Sequence, residues 1–291
     1  MGNLILRQMG VSSHTNSFVS NSDTETLIRA CESDGGKIVD GNWIRLVIGT
    51  MKMLDIYSSC KFLGDANMGV KLATGNGVSK LWDFSGNSNH VTQNTGANQP
   101  VWTSNQHGTK SGLVGESSKY LNLTSLSTTR NIGALTMVAV VKRTGDTPGY
   151  NGAIISYSTN NSVNGRGLLN VLYSTNNFTC GGRRLDEDPA YYLTGGGAST
   201  NTTLLVADFR YSTSGLYLYK NGSLLDSSTS FQTDGNTSDT DSAYAGLMSF
   251  SNPSSTYFPG VLFTAIIFTA TLSESQRNIL STTINTYYSI Y

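Results

Sequence analysis

The side chains best suited to chemistry gather in one short stretch. Asp186, Glu187 and Asp188 stand together, with Tyr191 and Tyr192 close behind. Carboxylates and amides hold the hydroxyls of a sugar, and an aromatic ring stacks on its apolar face. Asn-rich segments at 160–164 and 174–177 can add amides to the same surface. Tyr191, Tyr192, Asp186 and Asp188 are therefore the candidate glycan-binding residues. Glycosidic hydrolysis would need two carboxylates facing each other across a cleft. The only glutamates are Glu25, Glu32, Glu116, Glu187 and Glu274, and no Glu-x-Asp-x-Glu strand occurs. Pro189 follows the acidic trio and marks it as a loop. The chemistry on offer is binding, and no catalytic residue is assigned.

A second oxygen-rich stretch contains Asp234, Asp239 and Asp241. Hard oxygen ligands in a short loop suit calcium, although the spacing is not that of an EF-hand. Calcium is the one cofactor for which the chain offers ligands. His14, His90 and His107 are widely separated, as are Cys31, Cys60 and Cys180, and neither set has metal-ligand spacing. No Gly-x-Ser-x-Gly elbow and no phosphate-cradling glycine loop is present.

These residues need a scaffold, and the composition points to strands. The 291 residues are rich in Gly, Tyr and Phe and poor in Glu; Tyr and Phe suit a half-buried pleated surface, whereas Glu favours helix. Charged residues make up 13% of the chain and the formal net charge is zero, so no basic surface awaits nucleic acid. The densest cationic spot, Arg183-Arg184, is neutralised by the acidic trio. The N-terminus lacks a secretory apolar core, and Leu6 stands where a myristoylation signal wants Ser or Thr. No run is long and apolar enough to span a bilayer. The expectation is a protein made in a reducing compartment with inert thiols.

Three regions follow. Residues 1–22 form a polar extended arm that cannot bury enough surface to fold alone. Residues 23–79 read as a helical attachment or oligomerisation region. Ser22 and Glu25 suggest a capping box for a first helix ending before Gly35-Gly36, and Asp40 can cap a second helix running to about Cys60. Trp43, Val47, Met51 and Leu54 recur at three- and four-residue intervals, and Ile44, Ile48 and Ile56 widen the apolar face beyond a single stripe. That face is expected to form a seam with another copy or partner, or to pack on the chain's own strands. Residues 80–291 carry strand signals at 135–141, 153–157, 204–209, 216–219 and 261–268, with a type I′ turn at Asn221-Gly222. A final helix opens on a Ser273/Gln276 capping box. Turns at intervals of about ten residues without intervening helices indicate a two-sheet antiparallel sandwich.

Six segments then carry a resemblance. Trp82-Asp-Phe-Ser-Gly-Asn-Ser-Asn-His90 is followed by Gln99-Pro-Val-Trp102 and Lys119-Tyr-Leu-Asn-Leu123. Thr136-Met-Val-Ala-Val-Val-Lys142, Leu216-Tyr-Leu-Tyr-Lys-Asn-Gly222 and Phe258-Pro-Gly260 leading to Leu272-Ser-Glu-Ser-Gln276 come in order. Together they resemble the concanavalin A/laminin-G-like jelly rolls. A helical region ending in Asp55-Ile-Tyr57 ahead of such a domain resembles structural proteins of tailed-phage virions. The resemblance implies a non-enzymatic virion protein assembled in the host cytoplasm, with other capsid or tail proteins and its own copies as partners. Its displayed domain would decorate the capsid or hold a host-surface glycan. A stand-alone lectin and a glycan-degrading enzyme are the alternatives.

Overall fold

The computed structural model of the protein describes residues 22–116, 118–123, 131–144, 151–158, 167–172, 175–185, 187–198, 200–231, 233–237, 244–250 and 256–291. Among the described residues there are three α-helices: α1 (Ser22–Ser33), α2 (Gly41–Met53) and α3 (Glu274–Tyr288). The strands in chain order are β1 (Lys37–Ile38), β2 (Cys60–Asp65), β3 (Gly69–Leu72), β4 (Val78–Leu81), β5 (Val91–Thr92) and β6 (Val101–His107). There follow β7 (Lys110–Val114), β8 (Leu121–Leu123), β9 (Leu135–Arg143), β10 (Asn151–Ser158), β11 (Gly167–Leu172) and β12 (Asn177–Gly182). The last six are β13 (Tyr191–Gly195), β14 (Thr203–Arg210), β15 (Gly215–Lys220), β16 (Ser223–Ser228), β17 (Tyr244–Leu247) and β18 (Gly260–Phe268).

They form two antiparallel sheets. One runs β1-β3-β4-β5-β8-β17-β10-β11-β12-β13, and the other runs β16-β15-β14-β9-β18-β7-β6 with β2 also paired to β18. The chain is a two-sheet β-sandwich, the class its strand and turn spacing predicts. Met137, Tyr157, Phe178, Phe209 and Ile267 fill the space between the sheets. A second core lies on the outer face of the eight-stranded sheet, where Val138, Val140, Val206 and Ile266 meet the helices. All nine residues of β18 are buried because both of its faces are covered.

Several local signals act as expected. Asp40 caps α2, accepting from the amides of Asn42 and Trp43. Ser273 and Gln276 close their capping box on α3. Asn221 and Gly222 both take positive φ, 51° and 80°, in the β15–β16 turn. Glu25 does not close a box with Ser22. It receives the Arg45 guanidinium at 2.6 and 3.1 Å, tying α1 to α2.

The expected organisation of residues 23–79 needs correction. α2 stops at Met53, where Asp55 at φ 56° sends the amide of Ile56 back to the Met51 carbonyl in a Schellman arrangement. From Lys37 on, β1 to β4 already belong to the sandwich. The proposed seam is internal. Trp43, Val47 and Met51 are buried against the chain's own sheet and α3, and half-buried Leu54 packs on the same core. The physical reason is the wide apolar face of α2: the sandwich and α3 cover it together.

The Trp82 loop is held by its own side chains. Asp83 accepts from the amides of Leu63, Ser85 and Asn89 and from the Ser85 hydroxyl. Asn87 and Asn89 donate to the carbonyls of Cys60 and Lys61. Burial pushes the Asp83 carboxyl above its ordinary pKa, and these hydrogen bonds pull it back. Asp83→Ala strands three amide donors, a loss of about 3 kcal/mol measurable by urea unfolding. An unchanged midpoint would show that the loop does not depend on its carboxylate.

Candidate functional site

The tyrosine pair lies on β13, the outer strand of the ten-stranded sheet. Leu193 opposite Cys180, both buried, fixes which side faces the core. Alternation then sends Tyr191 and Tyr192 to opposite faces. Tyr191 turns to the sandwich interior and meets Phe231 edge-on, with ring centroids 6.1 Å apart. Tyr192 stands on the outer face, 49% exposed. The two rings lie on opposite faces and cannot share one sugar; Tyr191 stays 37% exposed at the sheet edge, and Tyr192 is the more exposed of the two.

Tyr192 is opposite Gly181 on β12, and a Cβ at that glycine would stand 2.2 Å from the Tyr192 ring. The ring thus lies over the glycine, resting on the sheet and leaving surface open to solvent. Partial burial raises the phenol's pKa, and the positive charge of Arg183 lowers it. Thr194, exposed and two residues along, lies on the same face. Across the sheet one register row runs Tyr192, Gly181, Leu168, Ser156, Gly246, Asn122 and Thr92. Gly181 was missed in the sequence, although a glycine inside a strand run signals close approach by another group.

The acidic partners are arranged differently from expectation. Asp188 accepts the Leu185 amide at 2.9 Å and lies 3.7 Å from the Arg184 guanidinium, so it braces its own loop. Glu187 is exposed. Asp186 lies outside the described residues, as do 160–164. Asn176 receives the Arg143 guanidinium. The acidic loop is brought near the 234–237 loop through Arg184, which donates to the Asn236 carbonyl.

In the calcium candidate, Asp234 accepts the Ser214 hydroxyl at 2.6 Å. Asp239 and Asp241 lie outside the described residues. Among the described residues, no three His, Cys, Asp or Glu side chains group as metal ligands. His90 accepts the Asp83 amide and packs on Trp82, while His107 bridges the Tyr288 carbonyl and Thr202. Cys31, Cys60 and Cys180 are free and buried; burial pushes the Cys31 thiol up to about 12. Trp82 is buried, and Trp102 is partly buried beneath Lys37.

No family model matches the chain, and no curated relative matches its sequence. Solved structures do match. The binding domain of botulinum neurotoxin DC in complex with rat synaptotagmin II superposes with a TM-score of 0.53 at 13% identity, over 79% of this chain and 52% of that one. Botulinum neurotoxin type C, whose route into cells depends on two ganglioside molecules, also scores 0.53 at 13% identity, over 80% and 53%. The ligand-binding domain of serotype D with N-acetylneuraminic acid scores 0.52 at 15% identity, over 79% and 52%. The likeness is one of fold. This chain spans about half the length of those structures. No described helix is long and apolar enough to cross a membrane.

Proposed function

We propose that this chain is a non-catalytic glycan-binding sandwich carried on a tailed-phage particle, with Tyr192 as its sugar-stacking ring. The observation that carries the binding reading is the exposed Tyr192 ring laid over Gly181. A ring resting on a sheet has little freedom left to lose when a sugar stacks on it. Thr194 on the same face supplies a hydroxyl, and Arg183 a nearby positive charge. The fold likeness to domains crystallised with N-acetylneuraminic acid supports the same ligand class.

A glycan array probed with the full chain tests it. Binding to at least one glycan is expected, and Tyr192→Ala weakens it by about thirtyfold, the loss of roughly 2 kcal/mol typical of an aromatic anchor. Tyr191→Ala leaves affinity within about twofold. Equal losses from both variants, or an array without signal, would discard the platform. Turnover of a bound glycan that disappears in Glu187→Gln would replace binding by hydrolysis.

The particle reading rests on the sequence resemblance, with capsid decoration and tail adhesion as its two forms. Helices α1 and α2 are committed to the core, which leaves residues 1–21 as the segment to remove. Deleting them should abolish incorporation into purified particles while leaving the melting midpoint unchanged. Full incorporation without them would overturn attachment through the arm.

A further inference from the structure

The outer face of the eight-stranded sheet carries two guanidiniums and one carboxylate beside the start of α3. Alternation along β15 puts Tyr217 and Tyr219 on that face, roughly 7 Å apart, opposite Asp208 and Val206 of β14. Arg210 lies over Tyr217, its Cζ 4.3 Å from the ring centre, and Arg277 of α3 lies over Tyr219 at 3.9 Å. We infer that Arg277 and Arg210 form a binding site for the carboxylate of a small-molecule ligand, independent of Tyr192 and on the opposite side of the sandwich.

The charges here do not balance. Asp208 is buried, and both of its oxygens are engaged: one accepts the Arg210 Nε at 2.9 Å, the other the Thr136 hydroxyl at 3.2 Å. Burial raises the Asp208 carboxyl's pKa, and Arg210, Thr136 and the more distant charge of Arg277 lower it. Arg277 is the surplus cation. It is only 9% exposed, yet its guanidinium makes no hydrogen bond and no ion pair among the described residues. Its Nε is buried, and its terminal nitrogens keep the remaining contact with solvent. Glu274, one turn earlier in α3, is exposed and leaves Arg277 unpaired. Holding an ionised group this deep without an acceptor costs stability, and the ring beneath it offsets only part of that cost.

The uncommitted groups select the ligand, because they are donors. The terminal nitrogens of both arginines and the hydroxyls of Tyr217 and Tyr219 make no hydrogen bond among the described residues, while the one carboxylate is spent. Such a lining asks for acceptors and negative charge. Two guanidiniums against one carboxylate leave a single positive charge. A singly charged group completes the balance, whereas a divalent phosphate overshoots it. The two coplanar oxygens of a carboxylate also match the paired N–H groups of a guanidinium. With so little of Arg277 exposed, only a small group reaches it, which disfavours a broad protein surface as the ligand.

The test uses the ¹⁵N-labelled full chain at constant ionic strength. Sodium acetate and lactate are the carboxylate probes, acetamide is the uncharged isostere, and methyl sulfate and phosphate are the tetrahedral anions. Acetate and lactate should shift the Arg277 side-chain Nε–H signal and the Tyr217 and Tyr219 amides saturably, with millimolar affinity. Arg277→Gln should weaken the response of those two amides by at least about tenfold, the loss of one charged hydrogen-bonding partner. Leu224→Glu lies at a 55% exposed position of the edge strand, opposite Tyr219, so it tests the site without touching the core. Its carboxylate competes from within the chain and should weaken the response by at least about fivefold. Tyr192→Ala should leave these shifts intact, which separates failure of the glycan platform from failure of this site. The inference is overturned by the absence of a saturable shift with either carboxylate, by acetamide matching acetate, by tighter binding of methyl sulfate or phosphate, or by a full response in either variant.

Discussion

Asp65→Ala should lower the folding free energy by about 5 kcal/mol, because the carboxylate is the acceptor at the centre of a buried donor cluster. It receives Trp43 Nε1 at 3.0 Å, the Asn67 amide at 2.6 Å, the Thr264 hydroxyl at 2.5 Å and the Tyr288 hydroxyl at 2.6 Å. Those four residues come from α2, the β2–β3 turn, β18 and α3, so a single side chain joins both long helices to the sandwich. Removing it strands each donor away from water, at about 1–3 kcal/mol apiece before relaxation. The melting midpoint should fall by about 10 °C or more.

The pH dependence of the same site has a definite sign. Burial raises the Asp65 carboxyl pKa above its ordinary value, and the hydrogen bonds offset part of that rise. A raised folded-state pKa means that the folded protein holds the proton more tightly than the unfolded chain. The resulting stabilisation is fully present below about pH 4, the ordinary aspartate value, and is lost as pH rises through the folded pKa. The advantage of the wild type over Asp65→Asn should therefore be widest in acid and narrow towards neutrality. A gap that widens with rising pH would show that the folded state prefers the ionised form.

The second large effect separates an internal face from an oligomer seam. Met51 is fully buried between α2 and the sandwich, whereas Met53, two residues on, is 53% exposed. Met51→Asp places a carboxylate in that core without a partner and should cost about 4 kcal/mol. Met53→Asp should change stability by less than about 0.5 kcal/mol. Chemical denaturation together with size-exclusion chromatography distinguishes the two interpretations. If α2 met a second copy, Met51→Asp would yield folded monomers of ordinary stability. The structure predicts a destabilised chain whose state of association is set elsewhere.

The proposed glycan-binding face and the helix-docking face occupy different layers of the molecule. The outer face of the eight-stranded sheet is covered by helices, so Val138, Val140, Val206 and Ile266 serve as core. On the ten-stranded sheet, the row from Tyr192 to Thr92 carries two glycines, the short polar side chains of Ser156, Asn122 and Thr92, and the buried Leu168. This asymmetry explains why the candidate ring sits where it does. Tyr192 lies at the edge end of that row, over Gly181, where the neighbouring strand carries no side chain.

Much of the scaffold was legible before any fold was known. The runs at 135–141, 204–209 and 261–268 became β9, β14 and β18, and the Asn221-Gly222 turn, the Asp40 cap and the Ser273/Gln276 box act where the residues stand. Each depends on dihedral preference or on hydrogen bonds spanning only a few residues, so local sequence was sufficient. β2 and β3 escaped notice because Cys60–Leu72 is short, rich in glycine and interrupted by polar residues. Their strand state comes from pairing with β18 and β4.

The sequence by itself determined an all-β sandwich with helices at both ends and a tyrosine pair beside an acidic loop. Only tertiary structure decided that α2 faces inward, that Tyr191 and Tyr192 part company, and that Asp65 receives Tyr288 from 223 positions away. The reason is one of range. Backbone propensity and capping act over a few residues, whereas burial and buried hydrogen bonding are fixed by whichever distant surface closes over a side chain.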